Sequence, residues 1–140
     1  MRYVDTSLLV ALITQEAGFE RFQPWFENQK PGILHISNWV VAEFSAALSI
    51  KVRVGNFTAD QQIRALEIFT GLANNLLTVV PVRSAHFLRA ARLADMYWQG
   101  LRAADALHLA IAADYGAELF TLDKRMAKAG QACKVVTVLL

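Results

Sequence analysis

A single cysteine, Cys133, among 140 residues rules out an internal disulfide. It reads as a small hydrophobe packed in or beside a strand. No apolar run approaches the roughly 18 residues that a bilayer span requires. The opening MRYVDTSLLVALITQE places Asp5 ahead of its apolar stretch and offers no small-residue cleavage site. That argues against a signal peptide, and the chain reads as cytosolic. Charge is scarce as well: 19% of residues are charged against 55% hydrophobic, and the net charge is only +2. With a pI near 8.9, this balance permits nucleic-acid binding without demanding it. There is no glycine-rich loop of the kind that cradles phosphates or dinucleotides, and no serine- or cysteine-based triad signal. Low-complexity tracts, linkers and internal repeats are absent too.

What is present is enough for one domain, 1–140, able to bury about two-thirds of its unfolded surface. The apolar surplus suits a sheet covered on both faces, with some left for a partner surface. Residues 2–5 read as a strand, followed by the helix-like SLLVALITQ. A helix is expected over 18–29, with Phe19, Phe22, Trp25 and Phe26 at amphipathic spacing. Pro31 and Gly32 break it before the apolar run ILHI, a second strand. Ser37 and Asn38 offer an N-cap for a long helix ending near Val54 and Gly55, and Thr58 caps another that runs to about 74. LLTVVPV supplies a third strand. Helices over about 84–97 and 102–115 follow, separated by Gly100, and Gly116 closes the second. ELFTL is a fourth strand, a last helix follows Asp123, and KVVTVLL is a fifth strand. Strands alternating with one or two helices predict a three-layer α/β/α domain built on a parallel sheet.

In such a sheet the strand ends and the N-termini of the crossover helices share one edge, where ligands bind. Four acids reach that edge by independent routes. Asp5 ends the first strand, and Asp123 lies just beyond the fourth. Glu43 lies one to two turns into the helix after the second strand, and Asp105 lies in the first turn of the helix before the fourth. Converging carboxylates need a hard divalent cation, which points to metal-dependent cleavage of a phosphodiester. Each acid also has a structural alternative. Asp5 and Asp123 can cap the helices they precede, and Glu43 can lie on the surface. Asp105, within AADALHLAIA, would be costly on a packed helix without a partner. Asp114 is nine residues, about 900° of rotation, from Asp105 and at the far end of its helix, so it is excluded. Asp95, Glu16, Glu20, Glu27, Asp60, Glu67 and Glu118 read as solvated charges.

Near the same edge, Lys124, Arg125 and Lys128 follow Asp123, and Arg102 precedes Asp105 by one turn. They are candidates for holding a phosphate backbone, although Arg102 can instead pair with Asp105. Arg89 and Arg92 read as surface charges. His108, on the face of Asp105, is a candidate base, but HLAIA reads as packed helix, which favours a hydrogen-bonded structural histidine. His35 and His86 carry no motif. A haloacid-dehalogenase-type phosphatase needs an aspartate where Ser7 stands. A receiver domain does not account for Glu43 and Asp105 together.

At YVDTS around Asp5, SNWVVAEF around Glu43, LRAADALHLAIA around Asp105 and TLD around Asp123, the chain resembles the PIN-domain family. Within that family it resembles the toxins of VapBC-type toxin–antitoxin modules. The likeness spans nearly the whole chain and implies a PIN-like domain with a parallel five-stranded sheet. It implies a ribonuclease whose quartet Asp5, Glu43, Asp105 and Asp123 binds Mg²⁺ or Mn²⁺, with Asp5 and Asp105 foremost as direct ligands. Thr6 and Thr121 fall where the family has small hydroxyl residues that orient carboxylates or water. The resemblance also implies a cognate VapB-like antitoxin in a groove near the early helices, where Phe19, Phe22, Trp25, Phe26 and Trp39 lie, and a homodimer. Core packing is the alternative use of those aromatics. Two functional alternatives stand beside this reading: a PIN nuclease of RNA processing or decay without an antitoxin, and a protein- or DNA-binding autoregulatory subunit whose cleavage is incidental.

Overall fold

Tyr3 and Val4, both fully buried, lie in the central strand around which the molecule is arranged. In the computed structural model, which describes residues 1–140, five parallel strands run in the order β3-β2-β1-β4-β5. They are β1 (Arg2–Val4), β2 (Leu34–Ser37), β3 (Leu77–Val80), β4 (Glu118–Thr121) and β5 (Thr137–Leu139). Tyr3 is in register with His35 on one side and Leu119 on the other.

The helices are α1 (Thr6–Ile13), α2 (Gln23–Glu27), α3 (Asn38–Arg53), α4 (Ala59–Asn75), α5 (Ser84–Ala94), α6 (Ala103–Asp114) and α7 (Lys124–Ala132). The chain builds outward from β1 to β2 and β3, then returns through α5 and α6 to place β4 on the other side of β1. Right-handed crossovers therefore put α1–α4 on one face and α5–α7 on the other, giving the expected three layers. Contacts follow this division: α1 packs on α3 and α4, α5 on α6, and α6 on α7. The reversal of strand order between β1 and β4 makes a topological switch point, the crevice where open α/β sheets bind ligands.

Local differences from expectation have plain causes. The helix expected over 18–29 is two short pieces, a 3₁₀ turn at Phe19–Arg21 and α2. Gly18, at φ +87°, turns the chain before the first piece, and Pro24 starts a fresh helix. The helix expected over 84–97 stops at Ala94, with a 3₁₀ turn at Tyr97–Gln99. Every residue of α6 from Ala106 to Ile111 is buried, and so is Ala112. A helix apolar on all sides is an interior helix, and only its ends meet water. Phe44 stacks on Phe69 at 4.3 Å between ring centroids, fastening α3 to α4.

Candidate active site

Asp5 sits where β1 ends and α1 begins, 3% exposed. Its Oδ1 accepts from the Leu8 N–H at 3.3 Å, capping α1. Ser7 Oγ lies 2.8 and 3.0 Å from its two oxygens. Across the switch point, Thr121 at the end of β4 donates to Oδ2 at 2.8 Å. Four donor contacts hold this carboxyl, yet no lysine or arginine pairs with it. Burial pushes its pKa up, against the opposing pull of His108, Ser7, Thr121 and the Leu8 amide.

Glu43, with its side chain 22% exposed, projects from α3 toward the same edge. Thr6 Oγ1 donates to its Oε2, and His108 Nε2 lies 2.7 Å from the same oxygen. Burial works to raise Glu43, but the hydrogen bonds from His108 and Thr6 outweigh it and hold the carboxyl below its usual range. The Trp39 indole adds a weaker pull in the same direction, although its buried Nε1 makes no hydrogen bond. Behind His108, Nδ1 lies 3.0 Å from Tyr3 Oη, which in turn lies 2.8 Å from Ser37 Oγ. Burial drives the Tyr3 pKa far above its ordinary value, so the phenol keeps its proton. His108 is thus hydrogen-bonded and packed, as its apolar surroundings suggest.

The other two acids serve helix ends. Asp123 Oδ1 accepts from the N–H groups of Arg125 at 2.7 Å and Met126 at 3.0 Å, so it caps α7. Its own N–H donates to Thr121 Oγ1 at 2.9 Å, which joins it to the Asp5 network through one hydroxyl. Asp105 Oδ2 accepts from the Arg102 N–H at 3.2 Å, in the first turn of α6. The Arg102 side chain forms no ion pair with Asp105, contrary to one expectation; only its backbone reaches the carboxylate. Asp5, Asp105 and Asp123 therefore each face the positive end of a helix, which favours their negative charge.

Asp5 and Thr121 belong to one hydrogen-bonded group, which Asp123 joins through its backbone, and Glu43 and Thr6 to a second, with no hydrogen bond between the two. Asp105 has no direct hydrogen bond to any of them. Nowhere do three acidic, histidine or cysteine side chains form a ready metal cage. The donors nevertheless suit a hard cation: they are carboxylate and hydroxyl oxygens, and one carboxylate is buried without a positive partner. Mg²⁺ usually takes only one or two carboxylates and fills its octahedron with water and phosphate. Asp5 and Glu43 fit that role, while Asp105 and Asp123 stand at helix ends on the same edge.

Ser7 is the contributor that motif reading passed over. It bonds Asp5 and accepts from the Leu122 N–H at 3.2 Å, tying the start of α1 to the end of β4. The signal was its position two residues after Asp5, where its hydroxyl can turn back. Arg102, Lys124 and Arg125 are exposed, and Arg125 passes beside Gly100, bringing the starts of α6 and α7 together. The aromatic group divides. Phe22 and Phe26 are buried, and Trp25 stacks on Phe120 at 4.7 Å. Phe19 and Phe26 line a cleft of about 360 Å³ beside Leu12, Ile68 and Leu72. Trp39 lines a different apolar cleft, against α5 and α6.

The family model described as "PIN domain" matches residues 2–132. Among solved structures, FitAcB from Neisseria gonorrhoeae shares 18% identity over 98% of this chain and 96% of its own, with a TM-score of 0.73. VapBC2 from Rickettsia felis, solved bound to a DNA fragment from their promoter, shares 19% over 99% and 98%, with a TM-score of 0.67. VapC20 from Mycobacterium tuberculosis, a sarcin-ricin loop cleaving toxin, shares 20% over 93% and 95%, with a TM-score of 0.66. At these identities the likeness is one of fold. No curated protein matches in sequence.

Proposed function

The chain belongs to the PIN-domain family, and from that premise we propose that it is a divalent-metal-dependent ribonuclease, the toxin of a pair restrained by a cognate VapB-like antitoxin. The observation that carries this reading is Asp5, a buried carboxylate at the switch point with hydroxyl and amide donors but no cation. Burying a charge without a positive partner is expensive. A bound ion or substrate at this edge would offset that cost.

In this reading Asp5 and Glu43 would hold Mg²⁺ or Mn²⁺, with Asp105 and Asp123 completing the acidic rim. When bound, such an ion lowers the pKa of a coordinated water and offsets charge on a phosphate. The protein supplies the positioning. Thr121 and Ser7 fix the Asp5 oxygens, and Thr6 fixes Glu43. Arg102, Lys124 and Arg125 offer positive charge for the RNA backbone at the mouths of α6 and α7. The apolar cleft between α1, α2 and α4 suits the hydrophobic side of an antitoxin segment. Names among the structural neighbours, such as VapBC2 and the toxin VapC20, support this assignment. The same reading includes a homodimer.

The test is cleavage of total cellular RNA by the purified chain with Mg²⁺ or Mn²⁺ and with EDTA, beside Asp5→Asn and Asp105→Asn. Discrete metal-dependent products are expected from the unmodified chain. Losing a ligand carboxylate forfeits several kcal/mol of charge stabilisation, so Asp5→Asn should cut the rate by about a thousandfold or more. A folded chain that cleaves nothing, or variants that cleave equally well, would overturn the proposal.

A further inference from the structure

We propose that His108 is a positioning residue of this site: it clamps Glu43 by one carboxylate oxygen, and the Tyr3 and Ser37 hydroxyls behind it keep its Nε2–H available for that task. The proposal rests on the metal-site reading above and assigns a role to three buried groups that this reading leaves without one.

The carboxylate end fixes the first proton, and the assigned tautomer of His108 fixes the rest. An ionised carboxylate can only accept, so His108 Nε2 must donate to Glu43 Oε2 across their 2.7 Å. We assign His108 the Nε2–H tautomer, in which Nδ1 accepts and Tyr3 Oη, at 3.0 Å, donates to it. The Tyr3 oxygen in turn accepts from Ser37 Oγ at 2.8 Å. Ser37 Oγ also accepts the Val40 N–H at 3.4 Å, because Ser37 caps α3. Glu43 stands on that same helix. The bonds therefore form a closed circuit, from the α3 cap through β1 and α6 back to α3.

Two features separate this circuit from ordinary core packing. Tyr3 and Ser37 are fully buried and His108 is 3% exposed, yet the circuit ends on a half-buried carboxylate at the ligand edge. Buried polar networks are costly unless fully satisfied, and every member here is satisfied. The clamp is also one-sided. His108 and Thr6 both donate to Oε2, and neither uses Oε1. Glu43 is thus held rigidly by one oxygen with the other free of both donors, as expected of an ion-binding carboxylate supported from behind. Without the clamp, a long side chain regains rotamer freedom and binding must order it.

The test measures Mn²⁺ affinity by titration calorimetry, with kcat and KM on RNA, using the full chain free of antitoxin. His108→Asn places its amide near Nδ1 and cannot reach Glu43. It should weaken Mn²⁺ binding about 10–100-fold and lower kcat, with KM for RNA little changed. His108→Gln, whose amide reaches the Nε2 position, should recover most of both. Tyr3→Phe should fall between the two. A folded His108→Asn variant that binds Mn²⁺ as tightly as the unmodified chain would overturn the clamp, as would a His108→Gln variant damaged equally. A ¹⁵N imidazole spectrum of the unmodified, metal-free chain gives a check that needs no variant: Nε2 should carry a proton, and finding it bare overturns the proposal. If Asp5→Asn abolishes Mn²⁺ binding while His108→Asn retains it, only the clamp falls. If the unmodified chain binds no Mn²⁺, the metal-site reading falls and the clamp with it.

Discussion

Two buried histidines each hold a carboxylate through Nε2, and both pairs are anchored on α6, yet they do different work. His86, at the start of α5, meets Asp114 at the far end of α6 at 3.0 Å. Its Nδ1 accepts the Arg83 N–H at 3.0 Å, so an amide that can only donate fixes the ring's tautomer. Asp114 is exposed and also meets Arg83 at 3.4 Å, so its charge is balanced by a permanent cation. His108 has the same geometry toward Glu43, but a hydroxyl stands behind its ring and no lysine or arginine pairs with the carboxylate. The histidine–carboxylate contact itself is therefore uninformative. What separates a brace from a site is whether the carboxylate's charge is already met.

The largest test of that contrast exchanges each carboxylate for its amide. Glu43→Gln removes the charge and offers one carbonyl where an ionised oxygen received two donors. RNA cleavage should fall about a hundredfold or more, the equivalent of about 2.7 kcal/mol. Asp114→Asn should leave the rate within twofold. Equal losses in the two variants would show that both pairs act only through the fold.

Next in size is His86→Ala. The ring is 1% exposed, so its removal opens a cavity and orphans the Arg83 N–H. A destabilisation of about 2–4 kcal/mol is expected in urea unfolding. The folded fraction should keep its kcat, because His86 touches nothing at the switch point. A His86→Ala protein of unchanged stability would mean that this pair is not a brace.

The same contrast explains what could be read from the chain. Alternating strands and helices were legible, because apolar runs bounded by Gly, Pro and cap residues are local signals. Asp5 and Asp123 were legible as edge residues for the same reason, and Thr6 and Thr121 do bond to acids of the quartet or their neighbours. The circuit behind Glu43 was not. Tyr3 meets Ser37 and His108 across separations of 34 and 105 residues, set by the register of β1 with β2 and the depth of α6. Nothing local in YVDTS announces either bond. The aromatic group was legible as core packing but not in its division: spacing along the chain does not reveal that Trp39 faces α5 and α6 while Phe19 and Phe26 face α4. Whether Asp123 is a ligand or a cap was equally hidden, since both roles place an aspartate just before a helix.

The smallest expected effect is on the stability of Asp114→Asn, and its sign with pH is the most discriminating. The His86 hydrogen bond, with help from Arg83, holds the Asp114 carboxyl below its ordinary value of 3.8. A carboxylate depressed in this way contributes stability that is present above the unfolded pKa and lost as pH falls through the native one. Solvent screens an exposed group, so the contribution is small. The side-chain carbonyl of the substituted amide can still accept from His86, no buried donor is orphaned, and stability at neutral pH should change by no more than about 0.5 kcal/mol. Acid titration of stability should be flatter than for the unmodified chain only at its lowest pH. Asp5 has the opposite sign. Burial raises its pKa, so the stability of its protonated form is full below 3.8 and lost as pH rises through the native value. In metal-free protein, Asp5→Asn should therefore remove a loss of stability on the high-pH side of that window, where Asp114→Asn changes nothing. If Asp114→Asn instead costs several kcal/mol at neutral pH, or slows RNA cleavage, the far end of α6 is more than a brace and the contrast between the two histidines fails.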